Sequence, residues 1–354
     1  MKALVAMSGG VDSAVAAYLT KSAGLEVLGS TLVLLEGDDG SNCRDAQSIC
    51  RQLDIPFLPL AMEESFAQKV ICPFIAAYEQ GATPNPCVLC NRNLKFGALL
   101  EKSLELGCEK LVTGHYARLT QPADGGDGYL RRGVDMNKDQ SYVLGVLGAH
   151  EIAHCMFPVG DTVKPEIREE AAASGFSVAK KPDSYDICFI PDGNTQAFLG
   201  RHIGLRPGMI VDREGTTLRE HAGVHEFTIG QRKGLDIKEP ATDGRPRYVT
   251  DIDAATGTVT VGSREDLEVG VIHADRLKFL HPAMDGELDC EVQVRAHGGV
   301  VKCHARIDRT ADTMRLDLAE PLSGVARGQA AVLYLPDPDG DIVLGSGTIC
   351  GTEA

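Results

Sequence analysis

Two groups of residues in this chain have types and spacings suited to chemistry. The first is the string Ser8-Gly9-Gly10-Val11-Asp12-Ser13. It lies between a short apolar run and a helical pattern, so it forms a strand-to-helix turn. Its glycines permit φ > 0 and let backbone approach a ligand closely. The helix that follows offers unpaired N–H groups and a positive dipole end. With the Ser8 and Ser13 hydroxyls this makes a nest for an anion. Asp12 would repel a phosphate directly, so it is expected to hold a magnesium ion or to cap the helix. The string is not a Walker loop, since no G-x-x-x-x-G-K-[ST] is present, and the absence of G-x-G-x-x-G disfavours a dinucleotide site.

The second group is Cys87-Val88-Leu89-Cys90, flanked by Pro86 and Asn91. This spacing fits half of a zinc or iron–sulfur site, or a redox pair. No second C-x-x-C completes a zinc ribbon. Cys90 is expected just before a helix at Leu94, where the helix N-terminus would favour its thiolate. Cys188, in Asp186-Ile187-Cys188-Phe189-Ile190, has apolar flanks that read as a strand, and local pattern alone makes it a buried core cysteine. Cys43, Cys50, Cys72, Cys108, Cys155, Cys290, Cys303 and Cys350 have no chemical neighbours in sequence and are expected as small core residues.

The elements that must position these groups alternate strand with helix through the first half. Strands are expected at Ala3 to Met7, Glu26 to Leu35, Phe57 to Leu60 and Lys110 to Thr113. Helices are expected at Val11 to Leu19, through Phe66, Val70 and Phe74 with a kink at Pro73, and from Leu94 to Leu106. Ala46, Ile49, Cys50 and Leu53 form the stripe of a further amphipathic helix. Such alternation implies a parallel sheet with helices on both faces. A loop is expected over 122–128. After about residue 200 the period changes to two, at Thr256 to Val261, Cys290 to Ala296, Val301 to Ile307, Ala330 to Leu335 and Ile342 to Leu344, between Gly, Pro and Asp turns such as Asp339-Gly340. That half is expected to be all-β, one small domain and one barrel.

At 354 residues the chain is too long for one ordinary core. Its composition, 43% hydrophobic and 24% charged, is that of a soluble globular protein. Trp is absent and aromatics are 5%, which argues against an aromatic base-stacking platform. The net charge of -15 suits a small-molecule enzyme better than a nucleic-acid binder, unless basic residues are gathered locally. Arg131-Arg132, Lys138 and Lys180-Lys181 are the candidates for such a patch. Eleven cysteines without a signal-peptide pattern or a run of about 18 apolar residues imply a reducing cytoplasm.

The six-residue string resembles the PP-loop of ATP pyrophosphatases, which bind ATP, cut it between the α- and β-phosphates and adenylate an oxygen. Several further strings occur in order: Thr83-Pro84-Asn85-Pro86, Cys90-Asn91, Lys95-Phe96, Thr113-Gly114-His115-Tyr116, Asn137-Lys138-Asp139-Gln140-Ser141-Tyr142, Asp183-Ser184, Ile187-Cys188-Phe189-Ile190 and Ile229-Gly230-Gln231-Arg232-Lys233-Gly234-Leu235. Together, from residue 3 to about residue 350, they resemble the tRNA-specific 2-thiouridylases. The resemblance implies an α/β PP-loop domain with a parallel sheet (1–198), a small central β domain (199–268) and a C-terminal β-barrel (269–354). It implies ATP-dependent thiolation at C2 of the wobble uridine of tRNAs for Lys, Glu and Gln, with a sulfur-carrier protein or a cysteine desulfurase relay as partner; a monomer is expected, since no sequence feature suggests an oligomer. ATP would be bound by Ala6, Met7, Ser8, Gly9, Gly10, Val11, Asp12 and Ser13, with Leu32 and Gly114 near the adenine. His115, Lys138, Asp139, Gln140, Arg295, Ala296 and Gln329 would touch tRNA.

The same resemblance makes Cys188 the carrier of sulfur as a persulfide and Cys90 the nucleophile. Cys90 would release that sulfur with formation of a transient Cys90–Cys188 disulfide, or attack first itself. Two positions depart from the family. Ala296 stands where a larger polar or aromatic residue is usual. Cys87 stands where many members carry an Asp that acts as general acid or base. A subset with cysteine at all three positions resembles enzymes that hold a [4Fe–4S] cluster, so Cys87, Cys90 and Cys188 are either a persulfide relay or cluster ligands. A PP-loop enzyme acting on a small molecule, and a non-catalytic metal-dependent RNA-binding module, are the alternatives. The first leaves Cys90, Cys188 and the β-rich half without a role, and the second does not explain the loop.

Overall fold

The computed structural model describes all residues except 36, 38–39, 121–127, 184–186, 239–243 and 281–283. The expected loop over 122–128 falls almost wholly outside the described residues, as does Asp186. Five parallel strands form the first sheet, in the order Phe57–Ala61, Glu26–Val33, Lys2–Ala6, Lys110–Val112 and Cys155–Met156. Ala3, Leu4 and Val5 are fully buried because they sit at its centre with helices on both sides. Strand order reverses between Lys2–Ala6 and Lys110–Val112. In open parallel sheets the crevice beyond the strand ends at such a reversal is where ligands bind. Ser8–Ser13 follows one of these two strands and Thr113-Gly114-His115 the other.

The helices follow the expected stripes. Val11–Ser22 buries Val11, Ala14, Val15, Ala16 and Ala17, and Ser41–Gln52 buries Ala46, Ile49 and Cys50. The kink expected at Pro73 takes a definite form: helical pieces Glu63–Phe66 and Cys72–Glu79 are joined by a π-helical segment, Ala67–Ile71. Proline has no N–H for the carbonyl four residues earlier. The Asn93 side-chain amide donates to that carbonyl, Lys69 O, at 3.1 Å instead.

The second half is β-rich. A four-stranded sheet runs in the order Tyr248–Asp253, Thr258–Gly262, Gly208–Val211 and Thr217–His221. A closed antiparallel barrel follows, its ring made by Glu268–Phe279, Thr313–Ser323, Val301–Asp308, Gly286–Gln293, Ala330–Leu335 and Ile342–Glu353, the last pairing back to the first. Closure leaves no free edge within the ring. A hairpin from the first half, Ala117–Thr120 with Tyr129–Arg132, attaches to the barrel where Arg131 pairs with Ile342. Arg132 anchors this junction. Its guanidinium donates to Asp341 (2.9 Å), Asp139 (2.8 Å) and Gln293 (3.0 Å) and stacks 3.8 Å from the Tyr334 ring centroid.

The local basic patch expected from sequence is not formed by these residues. Arg131 pairs with Asp337, Arg132 with Asp139 and Asp341, Lys138 with Asp183 and Lys181 with Asp45. Each carboxylate lies at least six residues away along the chain, so only folding brings the pairs together. Cys72 and Cys350 are also corrected: both are exposed rather than in the core, and Cys43 is half-buried. Cys50, Cys108, Cys155, Cys290 and Cys303 are buried as expected. The last two face each other across adjacent strands with their sulfurs 3.6 Å apart. No helix among the described residues is long and apolar enough to cross a membrane.

Candidate active site

The loop from Ala6 to Ser13 is held from several sides. Met7 N donates to Ser30 O at 2.7 Å, and Thr31 Oγ1 donates to Met7 O at 2.9 Å. Ser8 N donates to Ser13 Oγ at 3.2 Å, and Ser13 Oγ donates to Gly10 O at 3.0 Å. Gly9 has φ +70, and a Cβ there would lie 2.6 Å from Asn42 O, so both conformation and space demand glycine. Gly10 caps the helix Val11–Ser22 without a side-chain acceptor. The first turn's N–H groups are therefore left for a ligand. Leu32 is half-buried on the neighbouring strand Glu26–Val33, and Gly114 lies against the loop. A Cβ on Gly114 would lie 2.7 Å from Asp12 C and 2.8 Å from Ser13 N.

Asp12 is not the helix cap. Lys164 Nζ donates to its two oxygens at 2.7 and 2.8 Å, and the Tyr116 hydroxyl donates to it at 2.8 Å. Lys164 is buried and also pairs with Asp183 at 2.9 Å. Asp183 in turn accepts from Lys138 at 2.7 Å and Arg168 at 2.6 Å. Burial works to raise the Asp183 pKa, but the hydrogen bonds from Lys138 and Lys164 outweigh it and bring it down to about 2. Lys164 thus bridges the two carboxylates. Sequence reasoning missed Lys164 because it lies 152 positions from Asp12 and carries no motif.

The second part of the site is built on the helix that starts at Pro86. Asn85 caps it, its Oδ1 accepting from Cys87 N at 2.9 Å and Val88 N at 3.3 Å, and Pro86 occupies the first turn, where no N–H is needed. The helix thus begins eight residues before Leu94. Cys87, not Cys90, sits at its N-terminus, and the expected dipole effect on Cys90 fades beyond the first turn. Burial instead raises the Cys90 thiol pKa, against the opposing charge of Lys95. After Cys90 the helix is π-helical over Asn91–Ala98 and becomes α-helical again at Leu99–Glu105.

Cys188 is neither in a strand nor in the core. It lies exposed in a turn between Ile187 and Ile190, while Phe189 and Ile190 bury themselves against Phe66 and Phe74. The apolar flanks that suggested a core strand are anchors for that turn. The fold brings Cys188 into the electrostatic reach of Cys90 and Cys87. The protein around its thiol, then Cys90 and Cys87, push its pKa up to about 11, with Lys95 pulling the other way. Among the described residues no three His, Cys, Asp or Glu side chains are arranged to hold a metal ion.

The positions expected to touch tRNA are scattered around this crevice. His115 is buried, with Nδ1 2.7 Å from Thr113 Oγ1 and its ring beside Phe96; burial, then Lys95, pushes its pKa well below 6.5, so it is neutral near pH 7. Lys138 is engaged by Asp183. Asp139 is enclosed by Arg132, Gly133 N and Ser141. Gln140 is exposed, and its Oε1 accepts from Tyr116 N at 3.1 Å. On the barrel, Arg295 is exposed and donates to Ser323 O, and Ala296 packs against the core beneath the first sheet. Gln329 Nε2 donates to Thr83 O at 2.6 Å, and Thr83 N donates to Arg327 O at 2.8 Å, so the barrel grips the segment that leads into the cysteine helix.

Comparison with known proteins adds three family models in succession: a tRNA methyl transferase HUP domain over residues 1–192, a tRNA methyl transferase PRC-barrel domain over 196–263, and an aminomethyltransferase beta-barrel domain over 269–349. Full-length relatives carry the name tRNA-specific 2-thiouridylase MnmA. The chain is 80% identical to that of Corynebacterium efficiens and 72% to that of Corynebacterium glutamicum, each over 100% of both chains. It is 67% identical to that of Corynebacterium diphtheriae, again over 100% of both.

Proposed function

The chain belongs to the tRNA-specific 2-thiouridylase family and is a tRNA-uridine 2-sulfurtransferase; we propose that it activates C2 of the wobble uridine of tRNAs for Lys, Glu and Gln with ATP and delivers sulfur through Cys188 and Cys90. A uridine carbonyl is a poor electrophile because its oxygen leaves badly. In the proposed first step that oxygen attacks the α-phosphorus of ATP bound at Ala6 to Ser13, and pyrophosphate leaves. The N–H groups of the loop steady the charge that develops on the phosphates. Leu32 and Gly114 flank the adenine. Magnesium held through Asp12 would supply further charge neutralisation at the phosphates.

Sulfur arrives on Cys188 as a persulfide drawn from a donor persulfide, on a carrier protein or a desulfurase relay. Its terminal sulfur attacks C2. Cys90 then attacks the inner sulfur of Cys188, the sulfur–sulfur electron pair moves to the sulfur on C2, and AMP departs. The products are the thiocarbonyl, AMP and a Cys90–Cys188 disulfide, which a dithiol reductant returns to two thiols. The RNA surface we propose comprises the exposed Gln140 and Arg295, with His115, Lys138, Asp139, Ala296 and Gln329 around them. Domains at 1–198, 199–268 and 269–354, a monomeric state and a cytoplasmic setting belong to the same reading.

The observation that carries the reading is that the fold brings Cys188 within electrostatic reach of Cys90 and Cys87, in a chain whose strand-to-helix loop leaves the first-turn N–H groups open. The test uses α-labelled ATP, tRNA transcript and a persulfide donor. Wild type should release AMP and form 2-thiouridine. Cys188→Ala and Cys90→Ala should retain adenylated RNA and form no 2-thiouridine. Thiolation by Cys188→Ala would reject the relay. Iron and sulfide in anaerobically purified protein, lost in Cys87→Ala together with activity, would favour the cluster instead.

A further inference from the structure

Every lysine and arginine beside Asp12 and Asp183 is answered by a carboxylate. Lys95, beside the thiols, is different. It is half-buried, and among the described residues it has neither an ion pair nor a hydrogen bond. Leaving an ammonium partly out of water without a partner is unfavourable. A π-helical turn closes after five residues rather than four, so Lys95 shares a helix face with Cys90, where a regular α-helix would turn it aside. Its positive field reaches Cys90, Cys188 and His115 together. The imidazole is neutral, and burial of Cys90 favours its uncharged form. Among the described residues, the pocket thus holds a cation that no carboxylate answers.

We propose that Lys95 makes this pocket an anion site, whose ligand is the negatively charged terminal sulfur of the persulfide carried on Cys188. The inference rests on the sulfur-relay reading and adds a residue to it. A charge held in place before the cargo arrives needs no reorganisation when the anion forms. Lys95 is a positioning residue: it orients the sulfur anion between Cys188 and Cys90 and takes no bond itself.

The test compares alkylation by iodoacetate, which is anionic, with iodoacetamide, which is neutral, on the full chain, read cysteine by cysteine by peptide mass spectrometry. Both reagents attack the thiolate, so the ratio of their rates cancels the thiolate fraction and reports local potential. In wild type the iodoacetate preference at Cys90 and Cys188 should exceed that at the exposed Cys72 and Cys350. Lys95→Gln should lower it on the order of five-fold, and Lys95→Arg should keep it. A merely structural lysine would shift both reagents alike. A wild-type ratio at Cys90 and Cys188 no higher than at Cys72 and Cys350 overturns the proposal without any variant. So does a ratio unchanged in Lys95→Gln. Failure of the relay itself would show separately, as 2-thiouridine formed by Cys188→Ala, and would leave the alkylation ratios where they were.

Discussion

Replacing Arg132 by Leu would leave a buried carboxylate without its cation. The Asp139 side chain is 5% exposed and accepts from Arg132 at 2.8 Å, Gly133 N at 2.9 Å, Ser141 N at 3.2 Å and Ser141 Oγ at 2.7 Å. Leucine keeps much of the volume but removes the only charged donor of that set. It also removes the bond to Asp341, the bond to Gln293 and the stack on Tyr334. Removing one partner of a buried pair destabilises by about 3–5 kcal/mol. At roughly 4–8 °C per kcal/mol for a unit of about 100 residues, calorimetry should show the transition of the barrel and its attached hairpin lowered by about 20 °C. The decisive comparison is the double variant Arg132→Leu with Asp139→Asn. If the loss comes from a stranded charge, neutralising Asp139 should recover part of it, and the double variant should melt above Arg132→Leu alone. A double variant that melts lower, by the sum of the two single effects, would refute the reasoning and make the loss one of packing.

Three further outcomes follow from the geometry. Gly114→Ala should raise KM for ATP at least about ten-fold while leaving the melting temperature within a few degrees, because the added carbon pushes on Asp12 and Ser13 backbone rather than on the core; unchanged KM in a nucleotide titration would contradict it. The depressed pKa of Asp183, from 3.8 to about 2, stabilises the fold above the unfolded value and ceases to do so as pH falls through about 2. The full linkage is about 2 kcal/mol and solvent screening reduces it to about 1. In urea titrations the stability gap between wild type and Asp183→Asn should therefore be largest near neutral pH and shrink toward pH 2; a gap independent of pH would speak against it. Gly328 has φ +89, and a Cβ there would come 3.2 Å from Ala82 Cβ and 3.3 Å from the backbone nitrogens of Thr83 and Pro84. Gly328→Ala should therefore slow 2-thiouridine formation more than AMP release, since it shifts the cysteine helix and not the nucleotide loop; equal slowing of both in a quenched time course would argue otherwise.

The nucleotide loop was legible because its parts are contiguous. Glycines, hydroxyls and a helix start within six residues make an anion nest whatever surrounds them. The alternating strands and helices of the first half, and the two-residue period of the second, were legible for a similar reason: burial of one face writes its period into neighbouring residues. Local reasoning failed at Cys188. Apolar residues on both sides of a cysteine look alike whether they line a strand or anchor an exposed turn. Phe189 and Ile190 do the latter, because the aromatic cluster they enter comes from a helix more than a hundred residues earlier. It also misplaced the start of the cysteine helix, where the Asn85 cap and Pro86 were the available signals.

By itself, then, the sequence determined the strand-to-helix loop with its N–H groups free for an anion, the change from α/β to β, and the Cys87–Cys90 spacing. Tertiary structure alone decided which charges meet. Arg131, Arg132, Lys138 and Lys181 read as a possible basic patch, and folding turned each into a partner of a distant carboxylate. Lys95 stood in the sequence only as part of the string Lys95-Phe96, and a π-helical register set it on the face of Cys90, with no ion pair among the described residues. The physical reason is the range of the forces. Backbone conformation and amphipathic period are settled within a few residues, whereas an ion pair or a thiol cluster depends on distances through space that no local pattern encodes.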